Sequence, residues 1–283
     1  NTEKGTKQKT ENNELHDVII SVESRKGGVG KTTAALSAAK VLAENGYAVL
    51  FLDCDIIGTN IADSNNPLFL KDHINVLKDT DSDVSKNLLE LFSLYLRDPD
   101  YIKSKLVGSA SYKKWIQFAK KSMNDSQIYK INIIGSEFLE ERNPMFDSRF
   151  LFDELHAFSF VEFLKAVIEQ FKLSMNTKVA VIVDNSPGYF SFTKMIDDWL
   201  IDIGPVKGKF LYIFGQDHQD KVISIKQIKK ILKKSDLNRN AIEILIRHRV
   251  AHKLNKSFDI STSIEAISKK KGDSKKFKVQ LTE

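Results

Sequence analysis

The 283-residue sequence contains a single cysteine, Cys54, and no apolar run long enough to cross a membrane. One cysteine excludes a disulfide within the chain and any metal site built from cysteine pairs. A membrane-spanning helix would need about 20 consecutive apolar residues. Cys54 lies in an apolar stretch, so we expect it to be a small buried hydrophobe. The lack of disulfides favours a cytoplasmic location.

The first 16 residues are polar and lack the apolar core of a signal peptide. They are predicted to form a disordered leader or linker. The sequence begins without methionine, so we expect it to be a segment of a longer protein. The remaining residues, 17–283, have the length and hydrophobic content of one large α/β domain.

Positive charge is concentrated in the last third of the chain. Residues 205–283 hold 19 lysines and arginines against 8 acidic residues, a net charge of +11. Such a stretch forms either a surface for nucleic acid or anionic lipid, or simply a solvated face. Residues 269–283 lack the strong apolar face of a membrane-anchoring helix, so no membrane anchor is expected.

Strands alternating with helices predict an α/β fold with three layers, in which helices flank a mostly parallel sheet. Predicted strands lie at 18–22, 47–55, 129–134, 179–184, 209–214, 241–246 and 277–281, and predicted helices at 32–44, 87–96, 112–123, 160–171 and 219–234. Few strand signals occur at 60–128, which is therefore predicted to be a helical elaboration. Residues 250–283 are predicted to form a basic C-terminal segment.

A glycine-rich stretch at 24–33, S-R-K-G-G-V-G-K-T-T, joins the first strand to an alanine-rich helix. Its glycines allow backbone N–H groups to converge on an anion, and the helix N-terminus adds further N–H groups. Lys31 would place its charge on the β- and γ-phosphates of a nucleotide, and the Thr32 hydroxyl would bind Mg²⁺. The predicted nucleotide site comprises Lys26, Gly27, Gly28, Val29, Gly30, Lys31, Thr32 and Thr33.

Arg25 stands where the strict P-loop pattern has its first glycine, and Lys26 precedes the Gly-Gly pair. This stretch resembles the deviant Walker A motif, KGGxGK[ST], of the ParA/MinD family of P-loop ATPases. Two further motifs follow in the family's order. Asp53-Cys54-Asp55 resembles its D-x-D switch I motif, and residues 184–188, D-N-S-P-G, resemble its Walker B and switch II motif.

The resemblance implies a P-loop NTPase fold and the use of ATP with Mg²⁺. Asp184 would hold the metal through a bound water, and Asp53 would support it. Asp55 would orient the attacking water and accept its proton. Gly188 would present its backbone N–H to the γ-phosphate, a contact that is lost on hydrolysis.

Lys26 is the signature lysine by this resemblance and would reach across a homodimer to the partner's ATP, much as an arginine finger does. The alternative is a solvated loop cation. Relatives with an iron–sulfur cluster or zinc need several cysteines, so a site of that kind is not expected. Residues 246–249 lack the asparagine with which family members read adenine, and base selectivity is therefore left open.

The leading functional hypothesis is an ATP-hydrolysing, nucleotide-switched dimer that positions or partitions a DNA or protein cargo. Its turnover is expected to be slow without an activating partner protein. The alternative is a regulatory or scaffold module of a longer protein, in which ATP serves assembly rather than turnover.

Overall fold

The computed structural model of this chain describes residues 16–56, 74–76, 87–100, 114–121, 126–135, 152–204, 207–214, 219, 222–223, 225–229, 244–248 and 279–282. Its strands are β1 (Val18–Glu23), β2 (Ala48–Cys54), β3 (Ile74–Val76), β4 (Lys114–Lys121), β5 (Ser126–Ile134), β6 (Val179–Asn185), β7 (Gly208–Phe214), β8 (Ile244–His248) and β9 (Val279–Thr282). Its helices are α1 (Lys31–Glu44), α2 (Leu88–Arg97), α3 (Glu154–Leu173) and α4 (Ser191–Ile203). A shorter helical stretch occupies 225–229.

The nine strands form one sheet in the order β3-β4-β5-β2-β6-β1-β7-β8-β9. Every pair from β5 to β9 in that order is parallel, whereas β4 pairs antiparallel with both β3 and β5. A parallel sheet must be covered on both faces, and all residues of β1 and β6 are indeed buried. The predicted α/β fold with a mostly parallel sheet is confirmed.

Helices cover the two faces of the sheet with different kinds of side chain. On one face, α1 packs through small residues, including Ala34, Ala35 and Ala39, which allow its backbone to approach the strands closely. On the other face, α2, α3 and α4 pack through large residues such as Phe92 and Phe192. The predicted apolar face of α3 is buried as expected, through Phe160, Phe163, Leu164, Val167, Ile168 and Phe171.

The predicted helix at 112–123 is wrong, because this part of the chain forms strand β4. Trp115 pairs with Asn132 of β5, and the antiparallel register continues to Lys121 opposite Ser126. Trp, Ile and Phe favour strands, and the pairing partner outweighs the helix-like spacing of the apolar residues. The elaboration between β2 and β6 therefore contains strand pairing as well as helix.

The other predicted elements that lie in described residues agree with the structure. Helix α2 corresponds to the predicted helix at 87–96, and its first turn is closed by a capping box between Asn87 and Glu90. The helix predicted at 219–234 is described as helical at 225–229. The predicted leader, apart from His16, and the basic segment at 250–283, apart from β9, lie outside the described residues. No described helix has the length and apolar character needed to span a membrane.

The three motif-bearing strands lie side by side in the sheet. Strand β6 lies between β2 and β1, with Asp184 opposite Asp53 on one side and opposite Val22 on the other. Because these strands are parallel, their carboxyl ends meet at one edge of the sheet. Open α/β sheets bind ligands at this edge.

Candidate functional site

The glycine-rich stretch forms a tight loop between β1 and α1. Gly28 has φ +74° and Gly30 has φ +89°, in the left-handed region that favours glycine. Gly30 is also the N-cap of α1 and provides no side-chain hydrogen bond to the first turn. The N–H groups at the start of α1 are therefore not capped by a side chain and can face an anion.

Gly27 has neither a positive φ nor a close neighbour, since a Cβ placed there would meet no heavy atom within 4 Å. The same open space surrounds Gly28 and Gly30. The protein's own packing therefore does not require glycine at position 27. A phosphate resting against the loop would require it, because a side chain there would block the approach.

Asp184 connects the loop to the end of β6. Its Oδ1 lies 2.5 Å from Lys31 Nζ, and its Oδ2 accepts a hydrogen bond from Thr32 Oγ1 at 2.7 Å. Asp184 is 0% exposed and Lys31 is 6% exposed. The structure thus brings the first and third motifs into direct contact.

The D-x-D motif also lies close to Lys31. Asp55 Oδ2 is 3.6 Å from Lys31 Nζ, and Asp53 Oδ1 accepts a hydrogen bond from the Asp55 N–H at 3.1 Å. Burial alone would lower the pKa of Lys31, but Asp184, Asp55 and Asp53 outweigh burial and leave the pKa raised. Lys31 is therefore fully charged near neutral pH.

The segment after β6, residues 186–190, is called the switch loop below. The N–H of Gly188 donates a hydrogen bond to the Ser24 carbonyl at 2.8 Å. Gly188 has φ +118°, and a Cβ there would lie 2.9 Å from Phe190 Cε2. Glycine is therefore required at position 188 by the fold itself. Its N–H is engaged with the glycine-rich loop rather than directed to an open phosphate position.

Ser186 makes a contact that the motif comparison did not reveal. Its Oγ donates to the Cys54 carbonyl and accepts from the Ile56 N–H, each at 3.0 Å. The switch loop is thereby fastened to the end of β2. The only signal in the sequence was the position of Ser186 inside the D-N-S-P-G motif.

The remaining predicted residues in and beside the motifs are either exposed at the glycine-rich loop or buried in the core. Lys26 and Thr33 are exposed, whereas Val29 packs into the core beneath α1. Cys54 is buried, as predicted, and burial raises the pKa of its thiol well above the usual range, with further contributions from Asp53 and Asp184. A neutral thiol of this kind is a poor nucleophile.

The oxygen donors at the site suit Mg²⁺. The Thr32 hydroxyl and the carboxylates of Asp184 and Asp53 are hard ligands, and Mg²⁺ binds through few protein oxygens together with water and phosphate. Among the described residues, no three His, Cys, Asp or Glu side chains are grouped so that they could hold a metal by themselves. A metal at this site would therefore depend on Thr32 and on phosphate oxygens.

Curated relatives match this chain over a short stretch. An iron–sulfur cluster carrier protein from Synechocystis is 55% identical over 42 residues, which are 15% of this chain and 12% of that protein. The protein of the same description from Pyrococcus horikoshii is 54% identical over 43 residues, 15% of each chain. The matched stretch thus spans less than a sixth of either relative.

Solved structures resemble this chain over most of its length at low sequence identity. Apo McdA from Cyanothece is 18% identical, with 95% of this chain and 87% of that chain covered and a TM-score of 0.49. The ParA of pNOB8 is 16% identical, with 94% and 75% covered and a TM-score of 0.49.

A family model covers nearly the whole chain. The model described as the CobQ/CobB/MinD/ParA nucleotide binding domain matches residues 20–276. This range includes the glycine-rich loop, the D-x-D motif, Asp184 and the switch loop. The chain therefore belongs to the CobQ/CobB/MinD/ParA family of nucleotide-binding domains.

Proposed function

We propose that this protein is a Mg²⁺-dependent ATPase of ParA/MinD type, a nucleotide-switched dimer that positions or partitions a DNA or protein cargo in the cytoplasm. The observation that carries this proposal is the contact of Asp184 with both Lys31 and Thr32. Three motifs far apart in the sequence supply a phosphate-binding lysine, a hydroxyl and carboxylates at one sheet edge. Phosphoryl transfer asks a protein mainly for such positioned charge.

Lys31 and Asp55 would carry the chemistry of hydrolysis. Lys31 Nζ is held by Asp184 and Asp55, and in the nucleotide complex it would turn to the β- and γ-phosphates. Asp55 would then be released to orient the attacking water and to accept its proton. The 3.6 Å separation of these two residues supports this exchange.

Thr32 and Asp184 would hold Mg²⁺, and Asp53 would support it. The metal, when bound, would offset the negative charge of the phosphate oxygens. The Thr32 hydroxyl now donates to Asp184 Oδ2. It would turn one of its lone pairs to the metal while Asp184 stays close by.

The backbone N–H of Gly188 would couple the position of the switch loop to the nucleotide state. This N–H donates to the Ser24 carbonyl, and a γ-phosphate at the loop would compete for the same donor. Exchange of one acceptor for the other would move the switch loop on ATP binding and return it after hydrolysis. Lys26, exposed on the glycine-rich loop, would reach the ATP of a second copy.

ATP turnover by Asp55→Ala separates this proposal from the scaffold alternative. The enlarged segment between β2 and β6, which adds β3 and β4 to the sheet, supports that alternative. A hydrolase should lose at least about 100-fold in ATP turnover, the usual share of a general base, while retaining ATP binding. Asp202→Ala, an exposed acid on α4, serves as the control and should keep the wild-type rate. Equal turnover by Asp55→Ala and wild type, with an activating partner absent in both, would instead favour the scaffold.

DNA binding through residues 205–283 is proposed from their net charge of +11. Contacts between basic side chains and DNA phosphates release counterions from the DNA. The logarithm of the binding constant should therefore fall steeply and linearly with the logarithm of the salt concentration. Fluorescence anisotropy with a random-sequence duplex, at several salt concentrations and with ATP, measures this slope. A salt-independent affinity would contradict the proposal.

A further inference from the structure

Four buried side chains form a chain of hydrogen bonds that runs from the end of β6 through β1 to the stretch after β7. Asn185 Nδ2 donates to Ser21 Oγ at 2.7 Å, and Ser21 Oγ donates to Glu23 Oε1 at 3.0 Å. Gln227 Nε2 donates to Glu23 Oε2 at 2.9 Å. These four residues are called the buried relay below.

The members of the buried relay depend on one another because they are shielded from solvent. None of the four is more than 7% exposed, and a buried polar group is costly unless it is hydrogen-bonded. Ser21 and Glu23 lie two residues apart on one face of β1. Ser21 Oγ serves two neighbours at once, so its removal would take an acceptor from Asn185 and a donor from Glu23.

One end of the buried relay lies in the candidate nucleotide site. Asn185 directly follows Asp184 and directly precedes the switch loop. Asp184 in turn contacts Lys31 and Thr32 of the glycine-rich loop. A change in the position of the switch loop would therefore act on Asn185 and on its hydrogen bond to Ser21.

The other end of the buried relay lies in the basic last third of the chain. Gln227 belongs to the helical stretch at 225–229, two isoleucines of which pack into the core. Lys226 and Lys229 of the same stretch are exposed. Gln227 therefore holds the inner side of a segment whose outer side is positively charged. This segment lies within residues 205–283, for which DNA binding is proposed above.

We infer that the buried relay makes the end of β6 and the helical stretch at 225–229 respond to one another. Ser21 and Glu23 are the positioning residues, because every hydrogen bond of the relay involves one of them. Regulation by nucleotide rests on the proposed function. When a γ-phosphate moves the switch loop, the displacement of Asn185 would reach the exposed lysines through the relay and Gln227. Such coupling is reciprocal and can be measured from either end.

A double-mutant comparison in the nucleotide-free full chain tests the coupling without ATP. In hydrogen–deuterium exchange, Gln227→Leu should lower protection at 186–190 by at least about twofold, the lower end of the coupling between connected residues. In a Ser21→Ala background the relay is already interrupted, so Gln227→Leu should have no further effect on 186–190. Lys229→Leu changes an exposed residue of the same stretch and should leave protection at 186–190 as in the wild type.

Addition of a saturating, non-hydrolysable ATP analogue with Mg²⁺ tests the regulation. In the wild type, protection should change at both 186–190 and 225–229. In Ser21→Ala the change at 186–190 should remain, whereas the change at 225–229 should be lost. Ser93→Ala removes another buried hydroxyl, one with no hydrogen-bond partner among the described residues, and should respond as the wild type does.

The conservative variant Glu23→Gln separates positioning from packing. Its amide oxygen can accept from Ser21 while its amide nitrogen donates to the side-chain oxygen of Gln227, once the amide of Gln227 has turned over. The response at 225–229 should therefore persist in Glu23→Gln. Glu23→Met fills a similar space without these polar atoms and should lose the response, and it replaces Ser21→Ala if that variant does not fold.

The inference is overturned if Gln227→Leu acts equally on 186–190 with and without the Ser21 hydroxyl. It is also overturned if, with the analogue bound, 225–229 responds equally in wild type and Ser21→Ala, or does not respond in the wild type. A structural role alone would lower protection in both segments without making either depend on the other. If the analogue does not bind, the proposed function is contradicted, and the nucleotide-free comparison still decides the inference.

Discussion

The side-chain nitrogen of Lys31 lies 2.5 Å from Oδ1 of Asp184, and neither residue is more than 6% exposed. The charge of Lys31, the proposed phosphate-binding lysine, is thus balanced by an internal partner. Opposite charges at this depth depend on each other, because an unpaired charge in the interior is costly. ATP would have to replace Asp184 as the partner of Lys31.

Replacing Lys31 with methionine should destabilise the nucleotide-free protein by about 3–5 kcal/mol, because Asp184 would remain as a buried charge without its cation. Urea denaturation measures the change in unfolding free energy. Lys40→Met, an exposed site on the same helix, should change it by less than about 0.5 kcal/mol. Equal effects at the two positions would contradict the view that the Lys31–Asp184 pair is interdependent.

Gly27→Ala should leave stability nearly unchanged, within about 0.5 kcal/mol, since the added Cβ meets no neighbour and φ is not positive. The same methyl group should weaken binding of a fluorescent ATP analogue by blocking the phosphate. Gly46→Ala is the control with the reverse expectation. Its φ of +87° makes alanine cost about 1–2 kcal/mol of stability, whereas nucleotide affinity should stay unchanged because Gly46 lies outside the candidate site. Unchanged nucleotide affinity in Gly27→Ala would show that the phosphates do not rest there.

Lys26→Ala should abolish ATP-dependent dimerisation while monomers still bind ATP, because the proposed role of Lys26 is exercised in the partner's site. Light scattering coupled to gel filtration, with and without ATP, measures the change. Arg25→Ala removes a neighbouring charge and should dimerise as the wild type does. If Lys26→Ala dimerises normally with ATP, the proposed role is wrong and Lys26 is a solvated loop cation.

The pH dependence of stability should change in Glu23→Gln. The pKa of Glu23 is raised in the folded state above its ordinary value of 4.5, so the folded protein binds more protons than the unfolded chain. The stability contributed by this group is therefore full below pH 4.5 and is lost as the pH rises towards the folded pKa. Glutamine removes that loss, so the variant should gain stability over the wild type as the pH increases. Parallel curves of urea midpoint against pH would contradict this.

Local signals in the sequence located the part of the candidate site that lies within short motifs. Glycines, Lys31 and Thr32 occur in one continuous stretch, and acids follow two apolar runs that become β2 and β6. Because buried parallel strands are nearly continuous apolar runs, their carboxyl ends could be located from the sequence. The packing face of α3 was also predictable, because its apolar residues recur at regular helical spacing.

Contacts between distant segments were not predictable in this way. Gln227 donates to Glu23 across 204 residues, and no local pattern marks either residue as a partner of the other. Strand β4 was mistaken for a helix because its apolar residues suit both periods and only its pairing with β5 decides between them. Such features depend on tertiary context that propensity does not contain.

The described sheet ends in very short strands on both sides, three residues in β3 and four in β9. The long strands lie inside, where their main-chain groups are already paired. A second copy that tried to continue the sheet at either side would gain few backbone hydrogen bonds. The described part of the sheet thus offers a second copy few backbone groups along β3 or β9, and the proposed dimer would instead meet at the carboxyl ends of the strands, where the glycine-rich loop lies.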